Sequence, residues 1–177
     1  MTDPFEIRRG TSDPVTAEAL ADLLLDVVES GASVGFMLPL DRDKALAFWR
    51  AALASADRGE RILLIAEERE TGIIVGTVQV VFAAAENQPH RADVAKLQVH
   101  RRARRRGLGE VLMRAAEAAA LEAGKSVLVL DTATGSDAER LYARLGWQRV
   151  GEIPDYALLP HGGLCSTTFF HRRLTGD

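Results

Sequence analysis

Apolar residues along the chain recur with two different periods, and the switches between them lay out the secondary structure. Behind Asp13 and Pro14, a cap followed by proline at the first helical position, a Leu/Val-rich segment runs to Glu29 and predicts a helix. A second helix is expected from Arg42 to about Ala56, where Ala45, Phe48, Trp49 and Leu53 share one face. A third runs from Gly107 to Ala123, with Leu108, Val111, Leu112, Ala115 and Ala119 in steps of three and four and Gly124 as its stop. A short fourth helix fits about Ser136 to Leu145, closed by Gly146. Between them lie strand-like runs: "FEIRRG", "RILLIAEE", "IIVGTVQVVFA", "ADVAKLQVH", "SVLVLDTA", "WQRVGEIPDYA" and "CSTTFFHRRL". The run "SVLVLDTA" is continuously apolar up to Asp131, which predicts a strand buried on both faces. The segment "SGASVGFMLPLD" breaks periodicity at Gly31, Gly35 and Pro39, yet carries Val34, Phe36, Met37 and Leu38, unusual for a loop. The order β-α-α-β-β-β-α-β-α-β-β predicts one mixed α/β domain over residues 1–177, a length that suits one full-sized core.

Composition narrows the classes. Hydrophobic residues make up 47% and charged residues 27%, with a net charge of −3, which fits a soluble globular protein. The basic charge is local: "RRARRRGLGE", Arg101 to Glu110, holds five arginines in its first six positions, and removing them leaves 17 basic against 25 acidic residues. The one cysteine, Cys165, excludes an intrachain disulfide. Four scattered histidines lack metal-site spacing, so no metal is expected. "MTDPFEIRRG" has no signal-like apolar core and no run approaches membrane-span length. A cytoplasmic protein with no membrane partner is expected.

Three readings of "RRARRRGLGE" compete: a solvated charge run, a nucleic-acid patch, and a cradle for a phosphorylated ligand. Nucleic acid is disfavoured because no aromatic residues interleave and Glu110 and Glu117 follow at once. Gly107 and Gly109 bracket a helix start, where unpaired N–H groups and partial positive charge attract phosphate oxygens. The spacing matches neither the Walker A loop nor the dinucleotide fingerprint.

"LQVHRRARRRGLG" resembles the acetyl-CoA-binding signature of the GNAT N-acetyltransferases, R/Q-x-x-G-x-G/A after a strand, with Arg104, Gly107 and Gly109 at the signature positions. "AERLYARLGW", Ala138 to Trp147, resembles the family's second signature, A-x-x-L-Y-x-x-x-G-F/W. The resemblance implies an α/β (α+β) acyl-CoA N-acyltransferase fold with a mixed, mostly antiparallel sheet flanked by helices. It also implies acetyl-CoA as cofactor and a small-molecule amine as acceptor, and it is compatible with a homodimer. "GASVGFMLPLD", "NQPHRADVAKLQVHRRARRRG", "VLDTATG" and "LGWQRVGEIPDYAL" together look like the tabtoxin-resistance acetyltransferases, which detoxify a β-lactam amino acid. Acetylation of a lysine or N-terminal amine on a protein is the related alternative. A non-catalytic acyl-CoA- or nucleic-acid-binding regulator is the alternative from another class.

The resemblance also implies roles. The main chain of Arg104, Arg105, Arg106, Gly107, Leu108 and Gly109 would hold the pyrophosphate, with Arg101 and Arg102 as outer charge near the 3′-phosphate. Leu97, Gln98 and Val99 would pair with the pantetheine arm, the Val99 N–H serving the thioester oxygen. Thr132, Gly135, Ala138 and Tyr142 complete the cofactor contacts; Gly135 stands where many members carry Asn. Tyr142 is the expected acid for the leaving thiolate. Asp131 and Asp93 are candidates for the substrate ammonium. An unperturbed aspartate, pKa near 3.9, is a poor base for an amine, which favours ammonium binding with a water relay. Phe36, Met37 and Tyr156 are expected as substrate walls, with core packing the competing role.

Overall fold

The computed structural model describes residues 4–175. Its strands are β1 (Phe5–Arg9), β2 (Arg61–Glu68), β3 (Ile74–Phe82), β4 (Arg91–Val99), β5 (Val127–Ala133), β6 (Gln148–Leu158) and β7 (Leu164–Arg173). The helices are α1 (Pro14–Glu29), α2 (Arg42–Asp57), α3 (Leu108–Glu122) and α4 (Asp137–Arg144). The order is the one the periodicity predicts, with an added 3-10 turn, Arg101–Ala103, before α3. The Asp13 carboxylate caps α1, accepting the Thr16 N–H at 2.9 Å.

One seven-stranded sheet runs β1-β2-β3-β4-β5-β7-β6, and only the β4/β5 pairing is parallel. Apolar cores lie on both faces. One packs Leu108, Leu112, Met113, Tyr142 and Trp147 against the sheet; the other packs α1 and α2 on Leu63, Ile65 and Ile74. The apolar loop now has its explanation: Val34, Phe36, Leu38 and Leu40 pack on the second core, with the Phe36 ring edge-on to Phe48 at 5.2 Å. Trp147 is 4% exposed and its indole N–H donates to the Glu117 carboxylate at 2.9 Å. β5 departs from expectation: Leu128 and Leu130 are buried, Val127 and Val129 only half-buried, and Asp131 exposed.

Two irregularities position the site. The β4/β5 ladder covers only Arg91–Val127, Ala92–Leu128 and Asp93–Val129, while β5 continues along β7 as far as Ala133–Thr167. From Val94 and Leu130 onward, the facing edges of the two strands diverge. The second irregularity is a bulge on β4. Gln79 faces Ala95 and Thr77 faces Gln98, so Lys96 and Leu97 together oppose Val78, with Lys96 at φ 54°. The extra residue resets the alternation. Ala92 and Val94 face the α3-side core before it, Leu97 and Val99 after it, and Lys96 lies against the loop and helix on the other face.

Candidate active site

The diverging edges of β4 and β5 open a cleft of about 970 Å³, walled by the loop after α1, the start of α3, α4 and part of β6. A shallower recess of about 550 Å³ lies apart from it, around Met37, Pro39 and His161.

At one end the main chain does the shaping. Arg105 (φ 59°) and Gly107 (φ 79°) adopt left-handed backbone, and Gly107 caps α3 without offering a side chain to its N–H groups. Among the described residues, the backbone N–H groups of Arg105 through Gly109 have no hydrogen-bond partner. Five consecutive unpaired donors at a helix start form a ready anion site. A Cβ on Gly109 would stand 3.1 Å from Leu141 Cδ2, so this glycine lets α3 approach α4.

The arginines divide. Arg101 is held by Asp26 and Glu29, and Arg102 and Arg106 both pair with Glu68, so the first two are spent on acidic neighbours rather than left as outer charge for a phosphate. The Arg106 guanidinium also lies 4.8 Å over the Phe5 ring; what it offers the cleft is its N–H. Arg104 bonds the Ser30 hydroxyl at 2.7 Å and the Val99 carbonyl at 3.1 Å. Arg104 and Arg105 line the cleft, with Leu97, Gln98 and Val99 beside them. The His100 N–H donates to Val75 on β3 at 2.8 Å, so strand alternation turns the Val99 N–H toward the cleft. Gln98 is 2% exposed and neither end of its amide has a partner among the described residues.

At the other end, side chains shape the cleft. Tyr142 is buried against Trp147 and Phe170, at ring distances of 6.2 and 6.0 Å, and borders the cleft. Burial first, and the nearby Asp131 charge second, push its phenol well above the usual tyrosine value. It therefore keeps its proton at neutral pH. Asp131 opens into the cleft, yet the surrounding walls raise its pKa by desolvation; Lys96 opposes that rise and Asp93 adds to it. Lys96 is the residue the sequence reading missed. Its ammonium donates to the Val34 carbonyl at 2.7 Å and stands 5.8 Å from both the Phe36 and Phe48 ring centres. Burial lowers its pKa, and Asp131 opposes the shift. The signal was a lone lysine inside the apolar run "DVAKLQV".

The remaining candidates scatter. Asp93 is 46% exposed, accepts from Arg91 at 2.8 Å and acts on the cleft only through its charge on Asp131. Thr132 and Ala138 line the cleft, whereas Gly135 turns away, its N–H on Glu139 and its carbonyl accepting from Arg140 at 3.0 Å. Phe36 packs in the second core beside Lys96, and Met37 borders the shallow recess. Tyr156 does reach the cleft wall, 50% exposed and edge-on to Phe169, where β6 leaves its ladder between Ile153 and Ala157. His100 does more than end its strand: its Nδ1 accepts the Arg102 N–H at 3.2 Å and caps the 3-10 turn.

A mixed sheet forked between β4 and β5, with an unpaired helix start at the fork, is the architecture of the acyl-CoA N-acyltransferases. The yncA protein of Salmonella typhimurium, solved with its cofactor acetyl-CoA, superposes with a TM-score of 0.79 at 21% identity, over 99% of this chain and 96% of that one. A ribosomal-protein-alanine N-acetyltransferase from Brucella melitensis gives 0.80 at 24% identity, covering 96% and 99%. An N-acetyltransferase from Staphylococcus aureus Mu50 gives 0.81 at 16% identity, covering 98% and 100%. The acetyltransferase (GNAT) family model matches residues 25–147. The chain belongs to the GNAT family and is an acetyl-CoA-dependent acyltransferase acting on an amine. The unpaired N–H groups of Arg105–Gly109 fit the cofactor's pyrophosphate. No described helix is long and apolar enough to cross a membrane.

Proposed function

We propose that this enzyme acetylates a small amino-acid-like amine of the tabtoxin type, a self-protective reaction carried by one domain spanning residues 1–177. The observation that carries the reading is Asp131, a carboxylate set in the cleft beside Tyr142 and facing no ion-pair partner within 4.0 Å among the described residues. Acetyl-CoA, when bound, supplies an activated acetyl thioester. The chain's own residues then do three things. Asp131 binds the acceptor as its ammonium and, with its pKa raised, can take up a proton through water. The Val99 N–H presents a donor at the cleft edge. Tyr142 keeps a phenolic proton ready for a departing thiolate. Converting an ammonium to a neutral amide also removes the charge that Asp131 holds, which favours product release.

Asp93 supports this from outside, through its charge on Asp131. The location that goes with the reading is the cytoplasm. A homodimer belongs to it too, with Ile153, Leu158 and Leu164 of the β6–β7 hairpin, all exposed, as its contact; sedimentation tests that. The central test is thiol release from acetyl-CoA across an amine panel that includes tabtoxinine-β-lactam and lysine-bearing peptides, wild type against Tyr142→Phe. Small amines should outpace peptides. Turnover of peptides alone would establish the protein-acetylating alternative instead.

A further inference from the structure

Lys96 is out of place as a structural residue. Lys96 is half-buried, and withdrawing an ammonium from water is costly unless it is paired and hydrogen-bonded. Here one of its three protons is used, on the Val34 carbonyl at 2.7 Å, and no carboxylate of the described residues comes within 4.0 Å. The Phe36 and Phe48 rings, each 5.8 Å away, favour a cation but neutralise none of its charge. The chain goes to some length to place it. The β4 bulge puts Lys96 in left-handed backbone, and Gly35 keeps its path clear, since a Cβ there would come within 2.9 Å of Nζ. Lys96 borders the same cleft as Asp131, and the two feel each other's charge without touching. A cation and an anion held apart in one cleft match a zwitterion: Asp131 takes the ammonium and Lys96 takes an anionic group.

We infer that Lys96 is the acceptor's anion anchor, its spare N–H donors binding a carboxylate carried by the substrate amine. The enzyme's acceptors are therefore amino acids or close analogues, and polyamines and other purely cationic amines are excluded by repulsion. This rests on the amine-acetylation reading above.

The test compares free amino acids with their carboxamides, at a pH of about 6 where both α-amines are protonated and the pair differs in the anionic group, on wild type, Lys96→Met and Lys96→Gln. Turnover is read as kcat/KM, and binding as calorimetric titration of each compound onto the CoA-loaded enzyme. Wild type should prefer acid over amide by about tenfold or more, the scale of one charge-assisted pair. The preference should fall toward unity in both variants, mainly through KM. Turnover without an acid preference overturns the anchor and leaves the amine reading standing. Acid-selective binding with no turnover of any amine does the reverse. Acetyl-lysine at position 96, found by peptide mass spectrometry after incubation with acetyl-CoA, would also overturn it, because Lys96 would then be an acceptor. Should both variants fail to fold, as judged by circular dichroism, the wild-type acid-to-amide ratio decides.

Discussion

The two ends of the cleft are built from different materials. At the end proposed for the donor, the Arg105–Gly109 turn offers main-chain N–H groups, and of the five arginines between 101 and 106, four have their side chains engaged with other residues. At the end proposed for the acceptor, Asp131, Lys96 and Tyr142 offer side chains that arrive from β5, β4 and α4. A backbone site should be broken by changes in backbone conformation and should tolerate loss of most side chains. A side-chain site should respond to single-atom changes.

The sharpest break of this contrast is Tyr142→Phe, which removes one oxygen. Turnover should drop about 100-fold or more while acetyl-CoA binding, followed by calorimetry, holds. Unchanged turnover would move the acid role off Tyr142. Asp131→Asn should lower kcat/KM for the amine by about 10- to 100-fold, the size of a charged hydrogen bond, again with donor affinity kept. At the donor end the comparable blow is conformational. Gly107→Val places a branched residue at φ 79°, at a cost of about 1–2 kcal/mol, and should weaken acetyl-CoA binding roughly tenfold.

Side-chain deletions at the donor end should matter less. Arg105→Ala removes a cleft arginine with no partner among the described residues and should raise KM for acetyl-CoA about threefold, more at low salt. Arg101→Ala, which only undoes exposed ion pairs with Asp26 and Glu29, should change stability by less than about 1 kcal/mol and leave that KM alone. An equal effect of both would erase the division among the arginines. The smallest expected effect is on stability. Lys96 has a folded pKa depressed below its ordinary 10.5, so between those values the unfolded chain binds more protons and stability rises with pH. Lys96→Met should flatten that alkaline rise in denaturant titrations.

The same contrast explains what was legible in the sequence. The donor end is local: a strand, five arginines among six residues, two glycines and a helix are consecutive, so the pattern and the family likeness both reach it. The helices were legible for the same reason, with Asp13, Pro14 and Gly124 marking ends that depend on near neighbours. The acceptor end depends on long-range pairing. Nothing near Lys96 announces a bulge, and without the bulge its strand position says nothing about Asp131, thirty-five positions away. Asp93 and Asp131 look equivalent in sequence; they separate only because the β4/β5 ladder ends at Asp93, leaving that residue to Arg91. β5 looked buried on both faces because an apolar run does not reveal how completely each face is covered.

That short ladder has a consequence for the protein's dynamics. Within the sheet, three paired positions of the described residues join β1–β4 to β5–β7, two leaves that otherwise share the α3-side core. A ligand lying along the open edges of Val94–Val99 would supply the missing ladder and tie the leaves together. Because it binds only the folded form, stability should climb with the logarithm of its concentration. Amides at the fork should exchange rapidly in its absence and slowly in its presence. The enzyme's lifetime in a cell would then track the supply of its own cofactor.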